Sequence, residues 1–95
     1  GIPMAVMDKT TRVMIVDDHP LVRDGLAFRI NLQVGMAVVA QAEGQDDALS
    51  LLRDIAVDVV LVDISLKTGN GIELIKRIRA MYPDIRILVL SGFDE

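Results

Sequence analysis

Residues 13 to 26 read Val13-Met14-Ile15-Val16-Asp17-Asp18-His19-Pro20-Leu21-Val22-Arg23-Asp24-Gly25-Leu26. The first four form a continuous apolar run rich in β-branched side chains. Such a run, with no polar alternation, suits a strand buried on both faces, as in a parallel sheet. Two aspartates follow at once. Pro20 then suits the first turn of a helix, where the N–H it lacks would have no intrahelical partner. Val22, Leu26 and Ile30 recur four apart, Leu21, Gly25, Phe28 and Leu32 form a second ridge beside them, and Gly35 closes the segment. The stretch therefore encodes a strand, an acidic pair and a helix, in that order.

Outward from it the same unit recurs. Val38-Val39-Ala40, Val59-Val60-Leu61-Val62 and Ile87-Leu88-Val89-Leu90 are three more short apolar runs. Asp46 or Asp47 is expected to cap the second helix, with Ala48, Leu49, Leu52 and Ile55 on its inner face. Asn70-Gly71-Ile72-Glu73 has the spacing of a capping box. Ile72, Ile75, Ile78 and Tyr82 follow on one face, and Pro83 stops that helix. Lys76, Arg77 and Arg79 lie toward its C-terminal end, where cations are favoured, and read as a solvated helix end. The order β-α-β-α-β-α-β predicts an α/β fold, a doubly wound parallel sheet, because right-handed crossovers put helices on both of its faces. Gly1-Ile2-Pro3 reads as an expression scar, and residues 1–10 as that scar plus a flexible N-terminus.

Composition narrows the function. The 95 residues carry 10 Lys+Arg against 14 Asp+Glu, a net charge of −4, which suits one globular domain. An acidic balance argues against a nucleic-acid surface, and 3% aromatics argue against base stacking. The absence of cysteine excludes disulfides and thiolate chemistry, and a single histidine cannot build a His-rich metal site. Apolar runs of at most four or five residues are too short to span a membrane, and no signal peptide is visible, so the expected compartment is the cytoplasm.

The acids are biased toward Asp, 11 against 3 Glu. Asp17 and Asp18 stand directly after the first apolar run and Asp63 directly after the third. In an open α/β sheet these are carboxyl ends of strands, where ligands bind. If the two strands are neighbours, three carboxylates converge and need a cation between them. Oxygen ligands select a hard ion, Mg²⁺ or Mn²⁺. Such a site suits phosphoryl chemistry, the metal neutralising phosphate charge while a carboxylate attacks. Ser91 ends the fourth run at the same sheet edge, where its hydroxyl could donate to a phosphoryl oxygen. The competing structural readings are helix capping for Asp17 and Asp18 and a turn role for Asp63. Capping accounts for one aspartate, not two adjacent ones.

These residues carry a resemblance. Val13 to Leu26 resembles the opening of a bacterial two-component response-regulator receiver domain, and its His-Pro-Leu-Val form resembles the subfamily with a LuxR-type helix-turn-helix output domain. Asp58-Val59-Val60-Leu61-Val62-Asp63-Ile64-Ser65-Leu66 with Gly71-Ile72-Glu73-Leu74 is similar to the phosphorylation-site strand and following helix. Tyr82 to Ser91 is similar to the fourth strand and its hydroxyl. The resemblance implies a flavodoxin-like fold with strand order 2-1-3-4 and a missing fifth unit, so that 11–95 form a truncated receiver domain. It implies that Asp63 takes phosphate from a sensor histidine kinase. It implies Mg²⁺ (or Mn²⁺) held directly by Asp18, through water by Asp17, and by Asp63 and the backbone carbonyl of Ser65, with Ser91 as the phosphoryl hydrogen bond and switch. Lys67 departs from the proline common in that loop. The family's site lysine and switch aromatic belong to the fifth strand, so weak phosphorylation of this chain is expected.

On this reading the chain is a phosphoacceptor rather than a turnover enzyme, and any DNA binding belongs to a further domain. Self-association through the edge of the fourth strand is expected. His19 adjoins the acids, where phosphate relay or metal binding is conceivable. In the resembled subfamily it is simply the residue before the helix. Phe28 reads as core or as a docking side chain. Two other classes remain: a Mg²⁺-dependent phosphohydrolase with an aspartyl nucleophile, against which the adjacent Asp17-Asp18 pair counts, and a structural fragment that only self-associates.

Overall fold

The computed structural model describes residues 9–65 and 71–90. Four parallel strands, β1 (Thr11–Val16), β2 (Met36–Ala42), β3 (Val59–Asp63) and β4 (Arg86–Leu90), lie in the order β2-β1-β3-β4. Three helices connect them, α1 (Pro20–Asn31), α2 (Gln45–Asp54) and α3 (Gly71–Met81). This is the doubly wound α/β arrangement that the alternation of apolar runs and helical ridges implies. No helix among the described residues is long and apolar enough to cross a membrane.

The strand pattern explains the layering. Val13, Met14, Ile15 and Val16 are all buried, because β1 is central and covered on both faces. Met14 and Val16 pack with Ala48 and Leu52 of α2 and Leu74 and Ile78 of α3. Val13 and Ile15 turn to the other face, toward Ala27 of α1. β2 skips Val39 in its pairing with β1, a bulge that brings Ala40 and Ala42 into the α2–α3 side. Gly35 takes φ +85° before β2, a backbone conformation open to a residue without Cβ.

Three expectations about the helices need correction. The second ridge of α1 is not core: Leu21 and Phe28 are 87% and 68% exposed, and Ala27 is the residue that packs. Ala27 can lie close to the sheet, whereas the larger ridges straddle it. On α3 the inner residues are Leu74 and Ile78, four apart, while Ile72 is 52% exposed. The cap of α2 is Gly44, so Asp46 and Asp47 act in the first turn, complementing the helix dipole rather than capping it. The capping-box residue Asn70 lies outside the described residues.

At the amino ends of the strands Arg12 and Asp58 tie β1 to the approach of β3. The Arg12 backbone N–H donates to Asp58 Oδ2 at 2.8 Å, and the guanidinium donates from Nε at 3.1 Å and Nη2 at 3.2 Å. The hydrogen bond from the Arg12 side chain, then that from its backbone, hold the Asp58 carboxyl below the ordinary carboxylate range. A carboxyl depressed by folding contributes stability above its unfolded value of about 4 and loses it as pH falls further. Asp58→Asn is therefore expected to lower the thermal midpoint at neutral pH and to flatten the loss of stability on acidification below about pH 4. Melting curves from neutral to acidic pH check it; parallel curves for the two proteins would remove the pair from the account.

Candidate functional site

The site lies at the opposite, carboxyl end of the sheet. β1 and β3 are adjacent and in register through Val16 and Val62, so the residues that follow, Asp17 and Asp63, come side by side. Both are almost fully buried, at 2% and 6% exposure. Asp17 continues the ladder, its N–H donating to the Ala42 carbonyl at 3.0 Å, and its own carbonyl accepts from Arg23 Nη1 at 2.7 Å. Burial of two polar side chains at a sheet edge costs stability unless partners meet them.

Each carboxylate is held from its own chain segment. Asp63 Oδ1 accepts the Ser65 backbone N–H at 2.9 Å and the Ser65 hydroxyl at 2.7 Å. Such i to i+2 bonding is the habit of aspartate at a turn. It leaves Oδ2, which lies 3.6 Å from His19 Nδ1, without a bond to Ser65. Asp17 Oδ1 accepts the His19 backbone N–H at 2.8 Å. The structural roles weighed for these acids are thus present in part, as turn contacts. Capping is not: the N-cap of α1 is His19, and its side chain makes no cap hydrogen bond.

The His19 ring closes the cluster. Its Nδ1 lies 2.8 Å from Asp17 Oδ1, 3.1 Å from Asp18 Oδ1 and 3.6 Å from Asp63 Oδ2. The hydrogen bond to Asp17, assisted by the charges of all three aspartates, holds the imidazole pKa above its ordinary value despite some desolvation. One ligand atom from each of Asp17, Asp18, His19 and Asp63 falls within 4.8 Å of the others. Three converging carboxylate oxygens are the donor set of a hard divalent cation. The acids picked out by strand ends are thereby brought together. Ser65 joins them through its N–H and hydroxyl. Ser91 and Lys67 lie outside the described residues.

Sequence reasoning treated two contributors as bland. His19 was visible as the residue between an acid pair and a proline. Proline confines its predecessor to extended backbone, and His19 has φ −103° and ψ 105°, which sets its ring beside the acids. Gly71 was visible as a member of a capping box and of the stretch Gly71 to Leu74 that carries the resemblance, with no packing role assigned. A Cβ there would stand 2.7 Å from Ile64 Cα and 2.8 Å from the Asp63 carbonyl oxygen, both backbone atoms. Glycine therefore lets the start of α3 press against the segment carrying Asp63. Gly71→Ala is expected to cost about 1–3 kcal/mol, the usual range for overpacking, and to displace Asp63. Denaturant midpoints together with a metal titration check it; an unchanged midpoint would mean that α3 shifts freely.

Comparisons with known proteins bear on the family and the fold. The model of the response regulator receiver domain family matches residues 13–95. The uncharacterized transcriptional regulatory protein YxjL of Bacillus subtilis is 37% identical over 83 residues, covering 87% of this chain and 38% of its own length. A two-component response regulator of the LuxR family from Aurantimonas superposes with a TM-score of 0.82 at 39% identity, covering 90% of this chain and 61% of that one. Salmonella enterica RcsB, bound to promoter rprA in the presence of the phosphomimetic BeF3⁻, superposes with a TM-score of 0.81 at 31% identity, covering 90% and 44%. The chain spans about two fifths of the curated relatives it matches, as the 38% of YxjL illustrates.

Proposed function

This chain belongs to the response regulator receiver domain family, and we propose that Asp63 is its phosphoacceptor. One observation carries the reading: Asp63 stands at the end of β3, buried, with Oδ1 held by Ser65 and a carboxylate oxygen within 4.8 Å of ligand atoms of Asp17 and Asp18. In the proposed step an Asp63 carboxylate oxygen forms a bond to the phosphorus of a phosphohistidine on a sensor kinase. The P–N bond breaks, its electron pair stays on the imidazole nitrogen, and that nitrogen takes a proton. The product is an acyl phosphate on Asp63.

The residues present fit a divalent cation, since one oxygen from each of three like-charged carboxylates lies within 4.8 Å of the others. Asp18 and Asp63 would hold Mg²⁺ (or Mn²⁺) directly, Asp17 through water, and the Ser65 carbonyl would complete the protein set. When bound, the ion neutralises charge on the phosphoryl oxygens. The chain's own part is to pre-position the nucleophile, through the two hydrogen bonds that Ser65 gives to Asp63 Oδ1. Ser91 is proposed to donate its hydroxyl to the phosphoryl group. Across the whole protein, a kinase partner, a cytoplasmic setting and DNA binding by a further domain extend the same reading. RcsB bound to promoter DNA supports the last of these.

We further infer that the 95-residue chain associates with itself through β4. Among the described strands β4 is outermost, and Leu88 and Val89 stand exposed on it. Unpaired N–H and C=O groups along such an edge are a template for another strand. The test of the main reading is labelling by a small phosphodonor with Mg²⁺, site-mapped by mass spectrometry. Modification confined to Asp63, weak in this chain and at most one phosphoryl group per molecule, is expected. Steady turnover of a generic phosphate ester would replace the reading by that of a phosphohydrolase.

A further inference from the structure

Resting on the reading of this crevice as a divalent-cation site, we propose that His19 is a fourth protein ligand and that its imidazole biases the site toward nitrogen-accepting ions such as Co²⁺ and Ni²⁺ over Mg²⁺. Three observations carry this. First, the ring is not used as a cap: His19 is the N-cap of α1, yet its side chain makes no cap hydrogen bond. Second, its backbone is held in place by the N–H donated to Asp17 Oδ1 at 2.8 Å and by Pro20, which keeps it extended. Third, Nδ1 lies 2.8, 3.1 and 3.6 Å from one oxygen of each aspartate.

The 3.1 Å between Nδ1 and Asp18 Oδ1 is close to the spacing of adjacent ligands. Ligands at about 2.0–2.1 Å in an octahedron stand about 3 Å apart when adjacent and about 4 Å when opposite. The 4.8 Å span of the four donors contracts to this shell with small side-chain movements. At 3.1 Å from Asp18 Oδ1 and 3.6 Å from Asp63 Oδ2, Nδ1 stands beside the two carboxylates proposed as direct ligands. The 45% exposure of the His19 side chain leaves an open side through which an ion can enter.

The chemistry then discriminates between ions. Mg²⁺ prefers oxygen, dehydrates reluctantly and keeps waters, so it would leave the imidazole vertex to water. Imidazole suits the later first-row ions, whose affinity rises toward Ni²⁺ and Cu²⁺. His19 thus sets which ion occupies the site rather than whether one does.

Affinities for Mg²⁺, Co²⁺ and Ni²⁺ measured by equilibrium competition on wild type, His19→Ala, His19→Gln and Asp18→Ala test this. The visible absorption of bound Co²⁺ reports nitrogen ligation. Wild type is expected to prefer Co²⁺ over Mg²⁺, and His19→Ala and His19→Gln to lose on the order of tenfold in Co²⁺ affinity with Mg²⁺ nearly unchanged. The Co²⁺ band is expected to shift in both variants. An unchanged ratio of Co²⁺ to Mg²⁺ affinity in both, with Asp18→Ala still losing both ions, would overturn the role of His19 and leave the crevice a metal site. A rise in Mg²⁺ affinity in His19→Ala would equally overturn it, showing the ring to be a competitor for the carboxylates. If Asp18→Ala binds every ion as wild type does, the underlying reading falls as well.

Discussion

Asp63→Asn is expected to abolish labelling by acetyl phosphate or phosphoramidate, to below detection. The side chains differ by one atom pair, and the amide can keep its carbonyl oxygen facing the Ser65 N–H and hydroxyl, which bond Asp63 Oδ1 at 2.9 and 2.7 Å. The fold should therefore persist. The loss is in the other atom. Where the aspartate has Oδ2, the variant has an amide nitrogen whose lone pair is delocalised and which does not attack phosphorus. Removing one of three converging carboxylates also relieves repulsion, so the thermal midpoint is expected to hold or rise while labelling disappears. That combination separates a lost nucleophile from a damaged fold. Intact mass after incubation with donor and Mg²⁺, beside a melting curve, reads both. Equal labelling of the variant at Asp17 or Asp18 would show that the nucleophile had been misassigned.

The second large effect lies in the core. Leu74→Ala is expected to destabilise the chain by about 2–5 kcal/mol, the range for deleting a buried leucine and leaving a cavity. Leu74 is 0% exposed and packs, with Ile78, against Val60 and Val62 of β3 and Leu52 of α2. A loss of that size is a large share of the roughly 5–15 kcal/mol that holds a domain of ordinary size together. It would also loosen the start of α3, where Gly71 presses on Ile64 and Asp63, so metal affinity should fall with stability. Ile72→Ala, two residues away on the same helix, is expected to stay within about 0.5 kcal/mol, because its side chain is already half in solvent. Urea midpoints of the two variants make the comparison, and equal losses would contradict the placement of α3.

The contrast between Leu74 and Ile72 shows where periodicity stops. Ile72, Ile75 and Ile78 share the helical spacing that marks an inner face, and so do Leu74 and Ile78. Both ridges are legible, but which of them meets β3 depends on how the helix is rolled. That roll is set at Gly71, where only a residue without Cβ allows the close approach to Asp63 and Ile64. The same limit applies to α1. Two apolar ridges can be read along it, and the structure buries Ala27 outside both, half-buries Leu26 and Ile30 of the first, and leaves Leu21 and Phe28 of the second exposed.

By itself the sequence determined the alternation of strands and helices and the three aspartates at strand ends. Those follow from local chemistry: β-branched runs extend, proline opens a helix, and acids directly after a strand sit at its carboxyl edge. Tertiary structure decided what lies beside what. Asp17 meets Asp63 because β1 and β3 pair through Val16 and Val62, a contact between residues 46 apart. The His19 ring, one residue beyond the acid pair, gains its meaning only there. Its three carboxylate neighbours come from two strands, and no periodicity along the chain encodes a convergence that the packing of the sheet creates.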